Sequence, residues 1–257
     1  MQKIAIIGAG IMGIQIAELF LRNGFDVLVF VRDKTKNSVS GMQNGNIKIT
    51  QNLKDLKDCD LIIESIKEDL QEKQEIFKKM GNLNFDGIIA SNTSSLLIKD
   101  ISANCKNRQN ILGMHFFNPV AKINLIEIAA TDYVAKENIK KLADISIKIG
   151  KKPVIVKDTP GFLLNRILFA MLNEAANLIH NEVSTKEDID KVMVTGALHP
   201  AGPLKIIDLI GIDVTVEILK NLKKQLNDDK YEPSPILLKM LQENKLGRKT
   251  KEGFYKY

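Results

Sequence analysis

The sequence has no tryptophan, two cysteines and three histidines in 257 residues. Cys59 and Cys105 have no partner pattern, which excludes a disulfide framework and fits a reducing, cytoplasmic setting. No apolar run approaches the roughly 20 residues that a bilayer-spanning helix needs. Met1 leads straight into a strand pattern, so no signal or transit segment and no membrane partner are expected. There is no compact arginine cluster or motif for nucleic acid, no low-complexity tract, no repeat and no metal-ligand pattern. The net charge of +6 is modest and spread along the chain. It suits an anionic cofactor and substrate, and lysine-rich helix faces explain it equally well. With 44% hydrophobic and 26% charged residues, the chain has the composition of a soluble globular protein long enough for one large or two small domains.

The chain opens with Lys3–Ile7 (KIAII), a β-branched apolar run of the kind found in buried parallel strands. Gly8, Ala9, Gly10, Ile11, Met12 and Gly13 follow, then a helical pattern through Ile16, Ala17, Leu19 and Phe20 that Asn23-Gly24 closes, and a second strand over Val27–Val31. A GxGxxG in this strand–turn–helix–strand setting is the fingerprint of dinucleotide binding. Gly8 makes the tight turn, Gly10 admits a pyrophosphate, Gly13 lets helix pack on strand, and the helix N-terminus supplies amides to the phosphates. The acid that grips the adenosine ribose should end the second strand, where the sequence reads Val31-Arg32-Asp33. If Asp33 reaches the ribose the cofactor is NAD, the favoured reading; if Arg32 dominates, a 2′-phosphate is tolerated and NADP is possible.

A second informative stretch is His115–Val120 (HFFNPV). His115 follows the apolar run Ile111, Leu112, Met114 and precedes the turn signal Asn118-Pro119, so it is expected at the end of a buried strand, where open α/β sheets present ligands. Glu127 lies among Ile123, Leu125, Ile126 and Ile128, and a carboxylate in apolar surroundings needs a partner. An imidazole would serve, the carboxylate fixing its tautomer. Spacing alone leaves this pair level with a structural histidine and an edge-strand glutamate.

Further strands are expected at Ile47–Ile49, Leu61–Ile63, Ile88–Ala90 and Val154–Val156, and helices from about Asp69 to Met80 and over Val134–Ile149. Glu68 and Lys73, by themselves, read as solvated charges on a helix's first turns. Ser91–Ser95 (SNTSS) reads as a donor-rich turn at the cofactor edge, or as a serine helix cap. Beyond Asp158-Thr159-Pro160-Gly161 only helical patterns appear, at 162–181, 185–196, 203–226 and 234–244, and the C-terminal aromatics should pack back onto the body. The expected fold is α/β: a Rossmann-type, doubly wound, mostly parallel sheet (residues 1–157) followed by a smaller all-α domain (158–257).

GAGIMG (8–13), ASNTSSL (90–96), GMHFFNPV (113–120), LIEI (125–128), PGFLLNRI (160–167), HPAGPLKIIDLIG (199–211) and GRKTKEGFY (247–255) occur in an order and at separations that resemble the 3-hydroxyacyl-CoA dehydrogenases, in particular the small bacterial 3-hydroxybutyryl-CoA type. The resemblance covers nearly the whole chain. It implies that His115 is the general base toward the 3-hydroxyl and Glu127 its orienting carboxylate. It implies that Ser94 and Asn165 position substrate oxygens in a cleft between the domains. Glu68, Lys73, Asn92 and Lys249 fall on cofactor-contact positions, and the helical domain should form a homodimer. The implied substrate is a CoA thioester. The family's long helical excursion after the second strand, which carries basic contacts to the CoA nucleotide, is here a short polar connection at 34–58, where Lys34, Lys36 and Lys48 could substitute in part. That departure keeps open a free 3-hydroxy acid substrate, such as a sugar acid or a carnitine-like compound. A non-catalytic dinucleotide-binding protein on the same fold is the reading from another class.

Overall fold

The computed structural model describes residues 2–32, 47–83 and 85–257. The chain divides into two compact units, Met1–Phe162 and Leu163–Tyr257. In the first, β1 (Lys3–Ile7), α1 (Ile11–Arg22), β2 (Asp26–Phe30), β3 (Ile47–Thr50), β4 (Leu61–Glu64), α2 (Leu70–Gly81), β5 (Ile88–Ser91), a short α3 (Ile98–Ile101) and β6 (Ile111–Gly113) build a six-stranded parallel sheet in the order β3-β2-β1-β4-β5-β6. This is the doubly wound order whose crevice opens at the carboxyl ends of β1 and β4. The reason is visible in β1: Ile4 and Ile6 pack with Ile16 and Phe20 of α1 on one face, Ala5 and Ile7 with Ile76 and Phe77 of α2 on the other. Burial of each such isoleucine contributes roughly 1.5–3 kcal/mol, which is why a strand covered on both sides reads as an unbroken apolar run.

The apolar run before His115 is not one strand. After β6 the chain leaves the parallel sheet, and β7 (His115–Phe116) pairs antiparallel with β8 (Leu125–Ala130) in a second sheet ordered β7-β8-β9, with β9 spanning Lys152–Lys157 and α4 (Lys136–Lys148) between β8 and β9. At the crossing a Cβ on Gly113 would stand 2.8 Å from Ala129 Cβ, so glycine is what lets β8 lie against β6. The expectation that His115 ends the buried strand Ile111–Met114 is corrected here, since His115 begins a strand of the second sheet; the alternative of an edge-strand Glu127 also falls, since β8 is the central strand of that sheet.

Other boundaries differ for local reasons. β2 ends at Phe30, leaving Val31 and Arg32 beyond it. No serine caps α3; the carboxylate of Asp158 accepts from the amides of Ile98 and Lys99, both at 2.8 Å. That contact holds the 158–161 turn within the first unit. Asp33, Lys34 and Lys36 lie outside the described residues, and Lys48 is exposed on β3.

The second unit contains α5 (Leu164–His180), α6 (Lys186–Lys191) running into a π-helical turn (Val192–Gly196), α7 (Pro203–Ile210), α8 (Ile212–Leu226) and α9 (Pro235–Gln242). The helix expected over 203–226 is two, because Gly211 between them takes φ +106°, a backbone state closed to most side chains. The C-terminal tail is fastened by two buried carboxylates. Asp208 accepts from the amides of Phe254 and Tyr255, each at 2.9 Å, and Asp190 accepts from the Leu204 amide at 2.8 Å and the Tyr255 hydroxyl at 2.9 Å. Burial, partly offset by those amides, pushes the Asp208 carboxyl above its ordinary range. Among the described residues no helix is long and apolar enough to cross a membrane, and no cluster of His, Cys, Asp and Glu could hold a metal ion.

Candidate functional site: a dinucleotide groove and a buried imidazole–carboxylate pair

The carboxyl ends of β1, β2 and β4 open into a groove of about 920 Å³ whose wall includes Gly8, Gly10, Ile11, Arg32, Glu68 and Ser94. Gly8 is held at φ +106° and donates its amide to the Phe30 carbonyl at 3.1 Å; a Cβ there would lie 2.5 Å from the Ser65 carbonyl oxygen. Gly13 has no more freedom, since its Cβ would stand 2.0 Å from the Gly8 oxygen. Gly10 is different. A Cβ there would meet nothing within 4 Å, so the fold does not require glycine at this place. What requires it lies on the groove side, where an added side chain would fill the space over the helix N-terminus. That N-terminus carries no side-chain cap and no acid in its first turn, so its amides face the groove without a protein acceptor on a side chain. Ile11 is 74% exposed there. These features fit a dinucleotide pyrophosphate, although Ile11 and Met12 add apolar wall rather than polar contacts.

The contrast between the two glycines is testable. Gly13→Ala should lower stability by about 1–3 kcal/mol through the backbone clash. Gly10→Val should melt close to the parent in calorimetry yet lose NADH binding in a fluorescence titration. Equal losses of stability in both variants would remove the argument.

Lys73 is not solvated, and Glu68, although partly exposed, is held in a hydrogen-bond network. Lys73 is 1% exposed, with Nζ 2.7 Å from Glu64 Oε1 and 3.3 Å from Glu68 Oε2. Glu64, the last residue of β4 and fully buried, also accepts from the Ile66 amide (2.7 Å) and the Ser91 hydroxyl (2.6 Å). Glu68 Oε1 in turn collects the Thr93 hydroxyl (2.7 Å) and the amides of Ser94 (2.8 Å) and Ser95 (3.0 Å). The SNTSS turn is therefore a set of donors, with Thr93, Ser94 and Ser95 closed around Glu68 and Ser91 given to Glu64. Burial raises the Glu68 pKa, but the Lys73 charge and these hydrogen bonds outweigh it and hold the carboxyl below its ordinary value of 4.5. For a carboxylate lowered in the fold, the stabilisation is present above the unfolded value and is lost as pH falls through the folded one. Thermal midpoints should therefore drop as pH is taken below about 4.5, and Glu68→Gln should make that drop shallower. A parent and variant with identical pH profiles would show that Glu68 carries none of it.

His115 and Glu127 are directly opposed in the β7–β8 ladder, and Nδ1 stands 3.0 Å from Glu127 Oε2. The two are 5% and 2% exposed. The carboxylate can only accept, so Nδ1 carries the proton and Nε2 the lone pair. The imidazole lies against Phe117 (4.3 Å between ring centres) and Phe162 (5.8 Å), which fix its plane. Two further side chains anchor the segment. Asn92 Oδ1 accepts from the Phe116 amide at 2.9 Å. Gln15, on α1, accepts from the Val120 amide at 2.8 Å and donates to Asn118 Oδ1 at 3.2 Å. Because Asn92 and Ser94 also line the groove, the donor turn joins it to the imidazole-bearing loop. Glu64 and Gln15 escaped the sequence reading. Glu64 had a signal, an acid closing the apolar run LIIE; Gln15, a polar residue on an otherwise ordinary helix, had none.

The remaining candidates are placed as follows. Arg32 forms an ion pair with Glu72 at 2.9 Å in the groove wall. Asp33 lies outside the described residues. Asn165 stands in the first turn of α5, and Lys249 pairs with Asp213 of α8; both belong to the second unit.

The chain matches the family model described as 3-hydroxyacyl-CoA dehydrogenase, NAD binding domain, over residues 3–45 and 32–159, and the corresponding C-terminal domain over residues 161–257. It therefore belongs to the 3-hydroxyacyl-CoA dehydrogenase family, whose members are NAD-dependent oxidoreductases. Among its relatives, 3-hydroxybutyryl-CoA dehydrogenase of Clostridioides difficile is 41% identical, with 99% of each chain covered. The mitochondrial hydroxyacyl-coenzyme A dehydrogenase of Homo sapiens is 36% identical, covering 100% of this chain and 91% of that one. The crystal structure of (S)-3-hydroxybutyryl-CoA dehydrogenase from Ralstonia eutropha superposes with a TM-score of 0.93 at 32% identity, covering 100% and 99%. The alignment with the Clostridioides relative runs over 278 positions, more than the 257 residues present here, so that relative has residues this chain lacks. The N-terminal family match breaks into two stretches that overlap at 32–45, directly after β2.

Proposed function

We propose that this protein is an NAD-linked dehydrogenase of short (S)-3-hydroxyacyl-CoA thioesters, interconverting 3-hydroxybutyryl-CoA and acetoacetyl-CoA, and that its first unit binds the dinucleotide. NAD, when bound, accepts the hydride from C3 of the substrate. The observation that carries the reading is the buried His115–Glu127 pair at 3.0 Å. With Nδ1 held by the carboxylate, His115 takes the 3-hydroxyl proton at Nε2, and in the reverse direction returns it to the oxygen that becomes the alcohol. Glu127 keeps the ring in one tautomer and stabilises the imidazolium formed during transfer. Phe117 and Phe162 shield the ring from water. Ser94 and Asn165 are assigned to the substrate oxygens, and Lys249 to the cofactor, on the family resemblance. Initial rates of NADH oxidation with acetoacetyl-CoA test the proposal. A rate at background with both NADH and NADPH overturns it.

A second reading keeps the proton and hydride chemistry but takes a free 3-hydroxy acid. It is favoured by the missing residues after β2, where the family carries basic contacts to the CoA nucleotide. Turnover of free 3-hydroxybutyrate above that of its CoA thioester would select it. The second unit is assigned to a homodimer interface, supported by Ile167, Val192, Leu198 and Leu209, which are 62–85% exposed; a monomer by light scattering at micromolar concentration excludes that.

A further inference from the structure

We propose that the adenosine end of the groove accepts a 2′-phosphate on Arg32, so that the enzyme takes NADPH in addition to NADH. The inference rests on reading the groove as the dinucleotide site.

In a sheet of this strand order, the residue following β2 lies beside the glycine turn, and an acid there binds the ribose 2′-hydroxyl. The Gly8 amide reaches the carbonyl of Phe30, the last residue of β2, which fixes that adjacency. The next residue is Val31. It is 6% exposed, its amide goes to the Thr50 carbonyl at 3.0 Å, and its side chain joins the apolar core. It offers a hydroxyl no acceptor and a phosphate no repulsion.

Arg32 follows. Its carbonyl accepts from Gln51 Nε2 at 3.2 Å, so its backbone is tied back to the segment after β3. Its side chain is 75% exposed in the groove wall and is steadied by Glu72 Oε2 at 2.9 Å. A guanidinium has five N–H donors in a planar fork, more than one carboxylate uses, and its geometry suits a phosphate. An ion pair this exposed is weak, so an incoming dianion can share or displace Glu72 at little cost. Lys67 and Lys79 also stand in this wall, together with Glu72 and Glu75, while Lys73 is shared between Glu64 and Glu68.

The test separates the fragment from the reaction. Calorimetric titration of the full-length protein with 5′-AMP and with adenosine 2′,5′-bisphosphate reads the subsite without turnover. Tighter binding of the bisphosphate by about tenfold is expected, and in Arg32→Gln the ratio of the two dissociation constants should fall to about one. The proposal is overturned if the parent prefers 5′-AMP or if Arg32→Gln weakens both ligands equally. Initial rates with acetoacetyl-CoA and each reduced cofactor complete the comparison. Turnover with NADH alone defeats this inference and leaves the proposed reaction standing, whereas tight bisphosphate binding without turnover does the opposite.

Discussion

His115→Gln is expected to lower kcat by about 10²–10⁴-fold, the range for loss of a general acid–base group, with NADH binding retained in a separate fluorescence titration. Glutamine keeps polarity at the site but cannot carry the proton. Glu127→Gln should lose less, because an acceptor remains for Nδ1 while the charge that favours the imidazolium is gone. The order of the two effects is the informative part. A His115→Gln enzyme that keeps more than about a tenth of the parent rate would place the proton transfer elsewhere. So would a Glu127 variant more damaged than the histidine one.

The second large effect concerns the fold beneath the groove. Lys73→Met leaves Glu64 fully buried with its countercharge removed, and breaking a buried pair in this way costs about 3–5 kcal/mol. Urea unfolding should show it as a lower midpoint at unchanged slope. The double change Glu64→Gln/Lys73→Met should recover part of the loss, since neither charge then remains uncompensated. Lys140→Met is the control: its pair with Asp144 is 77% and 59% exposed and should be worth less than about 1 kcal/mol. If Lys73→Met unfolds no earlier than the control, the Glu64–Lys73–Glu68 cluster is not what holds the SNTSS turn in place.

Much of this was legible in the sequence because the relevant signals are local. The KIAII run, the glycine spacing and the Asn23-Gly24 stop each encode their own structure, so β1 and α1 fall where the pattern puts them. The His115–Glu127 pairing was open on spacing alone; a twelve-residue separation does not say which strands are neighbours. They face each other because the chain leaves the parallel sheet after Gly113 and β7 pairs antiparallel with β8. Lys73 was misread for the same reason. On its own helix it is one charge among several, and its partner closes a strand nine residues earlier. The rule applied to Glu127, that an acid in an apolar run needs a partner, would have found Glu64 as well. The break at Gly211 was missed because the apolar periodicity continues through it, and a positive φ leaves no trace in hydrophobicity.

The antiparallel ladder that sets His115 opposite Glu127 has a further consequence. Their separation is dictated by main-chain hydrogen bonding between two strands, and no surface connection takes part in measuring it. Length can therefore be gained or lost after β2, and recognition of the distant parts of cofactor or substrate can drift with it, while the proton-transfer geometry stays unaltered. A scaffold wired in this way can change what it recognises without relearning how to react.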